Sequence, residues 1–438
     1  MRRLGLACAL AAAAILRIYA VASAHVTLVS STPAADSRLS ESPEQFRLEF
    51  SEPVEAGVAK AELIATGGGR TPLALMGDPR NAYVLLAPAN ELEPGAYRLV
   101  WHVVSEDGHP VSGSFVFTIG ATVSAPPPMP ADVEEAAKPW GPSVGGAPAL
   151  PSTLRGLGVG SLAALAGILF FLTTARGAAN STGTGIERVA RSLAIAAPVL
   201  LALHLVAWLI NTAPDHRLTG AWIGAALGST VGQAELWRTI LAVPPLWALV
   251  LARRAGLALG LAIVGLLASA AVGHSAAFQP IISIPLKAVH LLALAAWLGG
   301  LVWLSMRERV EPAQFIADTK RVSSVALIAV IAIAISGIAQ TLLIHPLSGD
   351  WTSSYGIAAM IKVAGLAVLV GFGAYHRFRV LPALEKSTSN AGEFVASLRR
   401  EVAVLWLVVI VGGFLSYISP PAKDGVDHSQ HTHSGSEQ

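Results

Sequence analysis

Three side chains carry the chemistry this sequence offers most clearly: His25, Asp107 and His109. Position 25 follows a stretch built like a secretory leader. Met1-Arg2-Arg3 gives a charged start, Leu4 to Leu16 an apolar run, and Ala22-Ser23-Ala24 a small-x-small cleavage site. Cleavage after Ala24 makes His25 the first residue, so its free α-amine and its ring nitrogen hold one metal ion together. The segment SEDGHPVSG sets Asp107 and His109 two residues apart, a spacing that puts both on one face of an extended strand end. Gly108 permits a tight backbone there and Pro110 stiffens the exit. An amine, two imidazoles and a carboxylate give three nitrogens and one oxygen, a tetragonal set suited to Cu(II).

Composition narrows the choice of metal and partner. Cys8, the one cysteine, falls in the leader, so the expected mature chain has no disulfide and no thiolate ligand. Only Met76 and Met129 lie in the exported soluble part, which disfavours Cu(I) and leaves Cu(II) or Zn(II). A net charge of only +2 gives no reason to expect a nucleic-acid partner. No ATP-binding loop and no phosphorylated-aspartate motif is recognisable, so nucleotide hydrolysis is not the expected driving force.

The elements that must position these groups divide the chain. Residues 1–24 are the expected signal peptide, and 25–120 read as strands. Phe46, Leu48 and Phe50 alternate with Arg47 and Glu49, and Tyr97, Leu99, Trp101 and Val103 alternate again, as do Phe115, Phe117 and Ile119. Turns at Gly67-Gly68-Gly69, Asp78-Pro79 and Glu93-Pro94-Gly95 separate them, and the expectation is an all-β Greek-key sandwich of Ig-like type. Residues 121–151, rich in proline, alanine and glycine, read as a linker that tethers this domain near a membrane.

Residues 152–420 read as an all-α membrane bundle of eight transmembrane helices, near 154–174, 192–211, 236–252, 256–273, 281–304, 322–344, 356–376 and 401–419. The third is the weakest, with Pro244-Pro245 in its middle. With the β domain outside, fourteen lysines and arginines fall in the inner connections against Arg217 and Arg238 on the outer side. That bias expects both chain ends on the periplasmic side of a bacterial inner membrane.

Histidines in this bundle are lopsided: His204, His274, His290 and His345 lie toward the outer side and only His376 at the inner end. Intramembrane ionisable groups are costly and mark function, so the four outer histidines form a candidate metal path. The alternative for each is a helix cap or a bond to a neighbouring carbonyl. His102 reads as a surface residue. The tail 421–438 carries His428, His431 and His433, a candidate weak metal-collecting arm.

The segments HVTLVSSTPAADSRLSESPEQFRLEFSEPVE and YRLVWHVVSEDGHPVSGSFVFTIG resemble the two ends of the CopC family of periplasmic copper-binding proteins. The resemblance implies a Cu(II) site of His25, Asp107 and His109. A methionine-rich Cu(I) site found in some members is expected to be missing, since the middle loop offers only Met76. The stretches GHSAAFQPIISIPLKAVHLLALAAWLGGLVWL and YGIAAMIKVAGLAVLVGFGAYHRFRVLPAL resemble, more loosely, the CopD family of inner-membrane copper proteins. That family often has an acidic residue one turn before the histidine of the fifth span. This chain has Lys287 there, a cation that opposes copper at His290 unless it snorkels outward. Lys362 sits inside a span, and Gly299-Gly300 would let helices approach closely.

The implied function is copper binding and copper transport, with Cu(II) in the β domain and Cu(I) or Cu(II) in the membrane. Expected partners are the copper ion, inner-membrane lipid and a periplasmic carrier or reductant. Two alternatives stand beside it: an oxidase or monooxygenase built on an N-terminal histidine, and a haem-binding electron carrier using His204 and His290 as axial ligands.

Overall fold

The computed structural model describes residues 26–120, 126–129, 138, 141–174, 184–274, 279–307, 311–345, 347, 349–387 and 391–418. The leader, His25, most of the linker and the tail with His428, His431 and His433 lie outside the described residues.

The alternating segments form the inner faces of a two-sheet sandwich. One sheet has the order β1-β3-β7-β6, from Leu28–Thr32, Gln45–Phe50, Asn81–Pro88 and Met76–Asp78. The other has the order β2-β9-β8-β4-β5, from Arg38–Leu39, Pro110–Ile119, Gly95–Val104, Lys60–Ala65 and Arg70–Leu73. All pairings are antiparallel except β2 with β9. Phe46, Leu48, Phe50, Leu99, Val103 and Phe117 are fully buried between the sheets, as a period of two requires. Phe50 meets Trp101 edge-on at 5.2 Å, and Tyr97 stacks on Phe117 at 5.6 Å while its hydroxyl donates to the Glu93 carbonyl.

The helical part begins earlier than its apolar run suggested. Helix α1 spans Ala149–Thr174, so Pro151 belongs to its first turn, where a missing N–H costs no intrahelical bond, rather than to the linker. Then follow α2 (Thr184–Thr212), α3 (Gly220–Gly228), α4 (Thr230–Leu241), α5 (Pro244–Val250) and α6 (Ala255–Ala270). The bundle closes with α7 (Pro280–Leu304), α8 (Pro312–Ile344), α9 (Ser354–Tyr375), a π turn at His376–Val380, α10 (Leu381–Lys386) and α11 (Ala391–Leu415).

Among the described residues, five helices are long and apolar enough to cross a membrane: Ala149–Thr174, Gly185–Thr212, Pro280–Leu304, Pro312–Ile344 and Ser354–Lys386. The expected third span, 236–252, is not one helix. Pro244 and Pro245 lack amide hydrogens and crowd the preceding turn, so α4 ends at Leu241 and a new helix starts at Pro244. Helix α6 has 16 residues, about 24 Å of rise, somewhat short of a ~30 Å hydrocarbon core. Helix α1 is the axis of the bundle. It crosses α7 where Gly167 faces Gly299, so closely that a Cβ on Gly299 would lie 2.4 Å from the Gly167 Cα.

The β domain does not hang on its linker. It sits directly on the end of the bundle through a buried apolar contact in which Val58 and Val104 pack with Trp208, Leu209, Trp222 and Val231. Polar bonds pin that contact: Trp208 Nε1 donates to the Gly108 carbonyl at 3.1 Å, and the Val231 amide donates to the Glu55 carboxylate at 3.1 Å. His102, expected at the surface, is 8% exposed because this contact covers it. Its ring lies 2.8 Å from Ser112 Oγ and 3.0 Å from the Thr212 carbonyl at the end of α2.

Candidate metal centre

The turn between β8 and β9 builds the site. The Ser105 amide donates to the His109 carbonyl and the Gly108 amide to the Ser105 carbonyl, both at 2.9 Å, which folds Glu106 to Gly108 into a tight reversal. Asp107 and His109 therefore converge through a turn, not through the shared face of an extended strand. Gly108 has φ +96°, a conformation that favours glycine, and a Cβ there would lie 3.2 Å from Trp208 Nε1, so the indole would have to shift to admit a side chain.

One carboxylate holds two imidazoles. Asp107 Oδ1 lies 2.6 Å from His109 Nδ1, and its Oδ2 lies 2.8 Å from Nδ1 of His274, which follows α6. The two rings stack, with centroids 5.4 Å apart and planes 11° from parallel. Asp107, His109 and His274 are the one group of three or more potential metal-ligating side chains among the described residues, and all three are buried. A carboxylate on Nδ1–H fixes the tautomer that leaves Nε2 as the donor to a metal. His109 Nε2 has that opening, being buried with no hydrogen-bond partner among the described residues. His274 Nε2 lies 3.2 Å from the Ile418 carbonyl, a contact a metal would replace.

The electrostatics favour a cation here. Burial works against the Asp107 charge, yet His109 and His274 outweigh it and hold this carboxyl well below its usual range. Burial likewise disfavours protonated His109, and the Asp107 charge overcomes it and pushes the imidazole up. A third carboxyl, Glu52, adjoins the site. Burial, and then the nearby Asp107 charge, push it up to about 7, against an opposing pull from His109. The Glu106 amide donates to the Pro53 carbonyl, tying the loop of Glu52 to the Asp107 turn. The signal for Glu52 in the sequence was an acidic residue two positions after β3, where the alternation stops.

Of the four histidines of the expected metal path, the structure brings His274 into this centre and leaves the others elsewhere. His204 is fully buried with both nitrogens engaged, Nδ1 by Arg238 at 2.9 Å and Nε2 by the Tyr417 hydroxyl at 2.8 Å. It is therefore no open metal ligand and no open haem ligand. His290 Nδ1 meets Ser336 Oγ at 3.0 Å. His345 is buried beside Trp351 and Tyr355, with neither ring nitrogen hydrogen-bonded among the described residues. His376, at the far end, pairs with Glu401 and Ser397. Lys287 does not snorkel outward: its ammonium donates to the Val272 carbonyl, which Arg155 also holds at 3.1 Å, two residues before His274. Neither residue was legible as support for a metal site, because the contact depends on how α1, α6 and α7 pack.

A β-sandwich whose Asp–His turn is completed by a histidine from a membrane-type bundle defines a membrane-seated metal-binding protein. The comparisons agree. The family described as CopC domain matches residues 28–120, and the family described as Copper resistance protein D matches residues 316–415. The "Copper transport protein CutJ" of Bacillus subtilis (strain 168) is 27% identical over 433 residues, spanning 91% of this chain and 75% of that protein. The "Copper resistance protein C" of Pseudomonas syringae pv. tomato is 36% identical over 111 residues, spanning 23% of this chain and 86% of that protein. Among solved structures, CopC from Methylosinus trichosporium OB3b has 27% identity and a TM-score of 0.22, over 23% of this chain and 99% of its own. The chain belongs to the CopC family and joins its CopC domain to a CopD domain, a membrane protein in one polypeptide.

Proposed function

We propose that this protein captures Cu(II) at the outer face of the inner membrane and passes copper inward through the helical bundle. One observation carries the reading: His109 Nε2 is buried without a partner, while Asp107 holds its other nitrogen and that of His274. Copper is the cargo. Asp107, His109 and His274 supply ligands, and His25 adds an amine and an imidazole as the first residue of the exported chain. The neighbouring backbone supports this placement, since the Thr27 amide donates to Ser51 Oγ, next to Glu52. The relatives' names support copper as the substrate.

The bundle is read as eight crossings, with α4 and α5 together making a broken third one and α6 and α11 adding two to the five long helices. Both ends then face outward, and His428, His431 and His433 serve as a collecting arm. Further in, His345 is the better waypoint, because its ring nitrogens are unengaged and those of His204 are not. Passage as Cu(I) would take an outside reductant or carrier. A polysaccharide oxidase is disfavoured, since His274 and its helices cover the face a large substrate would need.

The test is copper accumulation in cells carrying the wild type, His25→Ala, His109→Ala or His274→Ala. Each variant is expected to accumulate less copper at low external concentration. Unchanged accumulation in all three would overturn the reading.

A further inference from the structure

Below the metal centre lies a chamber of about 310 Å³ whose wall carries Arg155, Arg238, Lys287 and Lys362, and among its described lining residues no Asp or Glu. That wall suits copper poorly, because four cations repel a fifth. Glu235, outside the lining, is a carboxylate shared by Arg238 and Arg155. Lys287 is committed to the Val272 carbonyl. Lys362 makes no hydrogen bond or ion pair with any described residue. An ammonium facing a mostly apolar cavity needs a counter-charge, since low-dielectric surroundings magnify an uncompensated charge.

We propose that the chamber binds an oxyanion, a phosphate or carboxylate group, with Lys362 as its principal partner and Lys287 beside it. The rest of the wall fits a ligand with an apolar body. Ile338 of α8 and Val363 of α9 belong to the lining and are 58% and 64% exposed, so the chamber opens sideways onto the apolar outer surface of the bundle. Acidic lipid enters from that side. A soluble oxyanion shares the same head-group chemistry. His274 belongs both to the chamber wall and to the metal cluster, so a bound anion would set a negative charge beneath an arriving copper ion.

The experiment uses the full chain in nanodiscs of three kinds: phosphatidylcholine alone, phosphatidylcholine with phosphatidylglycerol, and phosphatidylcholine with millimolar inorganic phosphate. Thermal unfolding and native mass spectrometry are read for the wild type, Lys362→Gln and Lys362→Arg. The expected result is a midpoint raised by several degrees in at least one anionic condition, lost in Lys362→Gln and kept in Lys362→Arg. A rise with phosphatidylglycerol alone assigns the site to lipid, and a rise with phosphate alone assigns it to a soluble anion. No rise in either condition, or a Lys362→Gln variant that responds like the wild type, overturns the proposal. The thermal midpoint of Lys362→Gln in phosphatidylcholine alone, expected to match the wild type, verifies its fold. Cu(II) titration of the wild type reads the copper assignment separately from the anion site.

Discussion

Asp107 and His274 are 167 positions apart in the chain and meet at 2.8 Å, a β-turn carboxylate bonded to a histidine that follows the apolar helix α6. This bond makes the candidate metal centre a property of both domains. A CopC domain detached from its bundle has Asp107 and His109 but lacks the second stacked imidazole.

Replacing His274 by alanine is therefore expected to weaken Cu(II) binding by the intact protein by about 10–100-fold, the usual loss when a group that orients or completes a metal set is removed. The isolated β domain should bind with the affinity of that variant. Equal affinity of the wild type and His274→Ala, by competition titration, would place His274 outside the site.

Trp208 is the clamp of the interface. Trp208→Phe keeps most of the apolar contact and removes the bond to the Gly108 carbonyl, for an expected loss of about 1 kcal/mol. Trp208→Ala also opens a cavity, for about 3–5 kcal/mol. Hydrogen exchange at residues 105–109 should rise in that order, and exchange in Trp208→Phe equal to that of the wild type would contradict the role of the bond.

Gly108→Ala tests the turn itself. The left-handed backbone and the nearby indole together predict a loss of more than about 1 kcal/mol and weaker copper binding. Calorimetric unfolding and Cu(II) titration of one preparation check both; an unshifted midpoint would show that the turn relaxes freely.

The titrating groups give a signed pH profile for the metal-free protein. Glu52 is raised from 4.5 to about 7, so its contribution is complete below pH 4.5 and is lost as pH rises through about 7. His109 is raised above 6.5, so its contribution is complete below that pH and is lost as pH rises through its folded value. Asp107 is held below 3.8 and acts in the opposite sense: its contribution is present above pH 3.8 and disappears on acidification through its folded value. Thermal midpoints should fall from about pH 5 to pH 8 without metal and flatten when Cu(II) replaces the His109 proton. A midpoint that rises over this range without metal would reverse the assignment.

Glu235 is buried between Arg155 and Arg238. Glu235→Gln leaves two buried guanidinium groups without their shared carboxylate, a loss of about 3–5 kcal/mol for a broken buried pair. Reduced folded yield in nanodiscs measures it, and undiminished yield and thermal midpoint would mean that the network is dispensable.

Much of this was legible along the chain. Phe46, Leu48 and Phe50 announced an inward strand face because their period of two matches the pleat, and Asp107 and His109 were visible as a pair because they are two residues apart. Long apolar runs marked membrane helices, but the broken third one shows that composition cannot weigh two adjacent prolines against the packing of α4 and α5. His102 was misplaced because alternation reports which face of a strand a residue occupies, not whether another domain covers that face.

The residues alone determined the chemistry on offer: nitrogen and oxygen ligands, no cysteine beyond Cys8, a β domain ahead of an apolar bundle. Tertiary structure decided which histidine joins Asp107, which are already engaged, and where four cations gather without a carboxylate in the described wall. The reason is geometric. Spacing within one strand or helix fixes neighbours over a few residues, whereas the approach of α6 to the β8–β9 turn depends on buried contacts at Trp208, Trp222 and Val104 that no local pattern encodes.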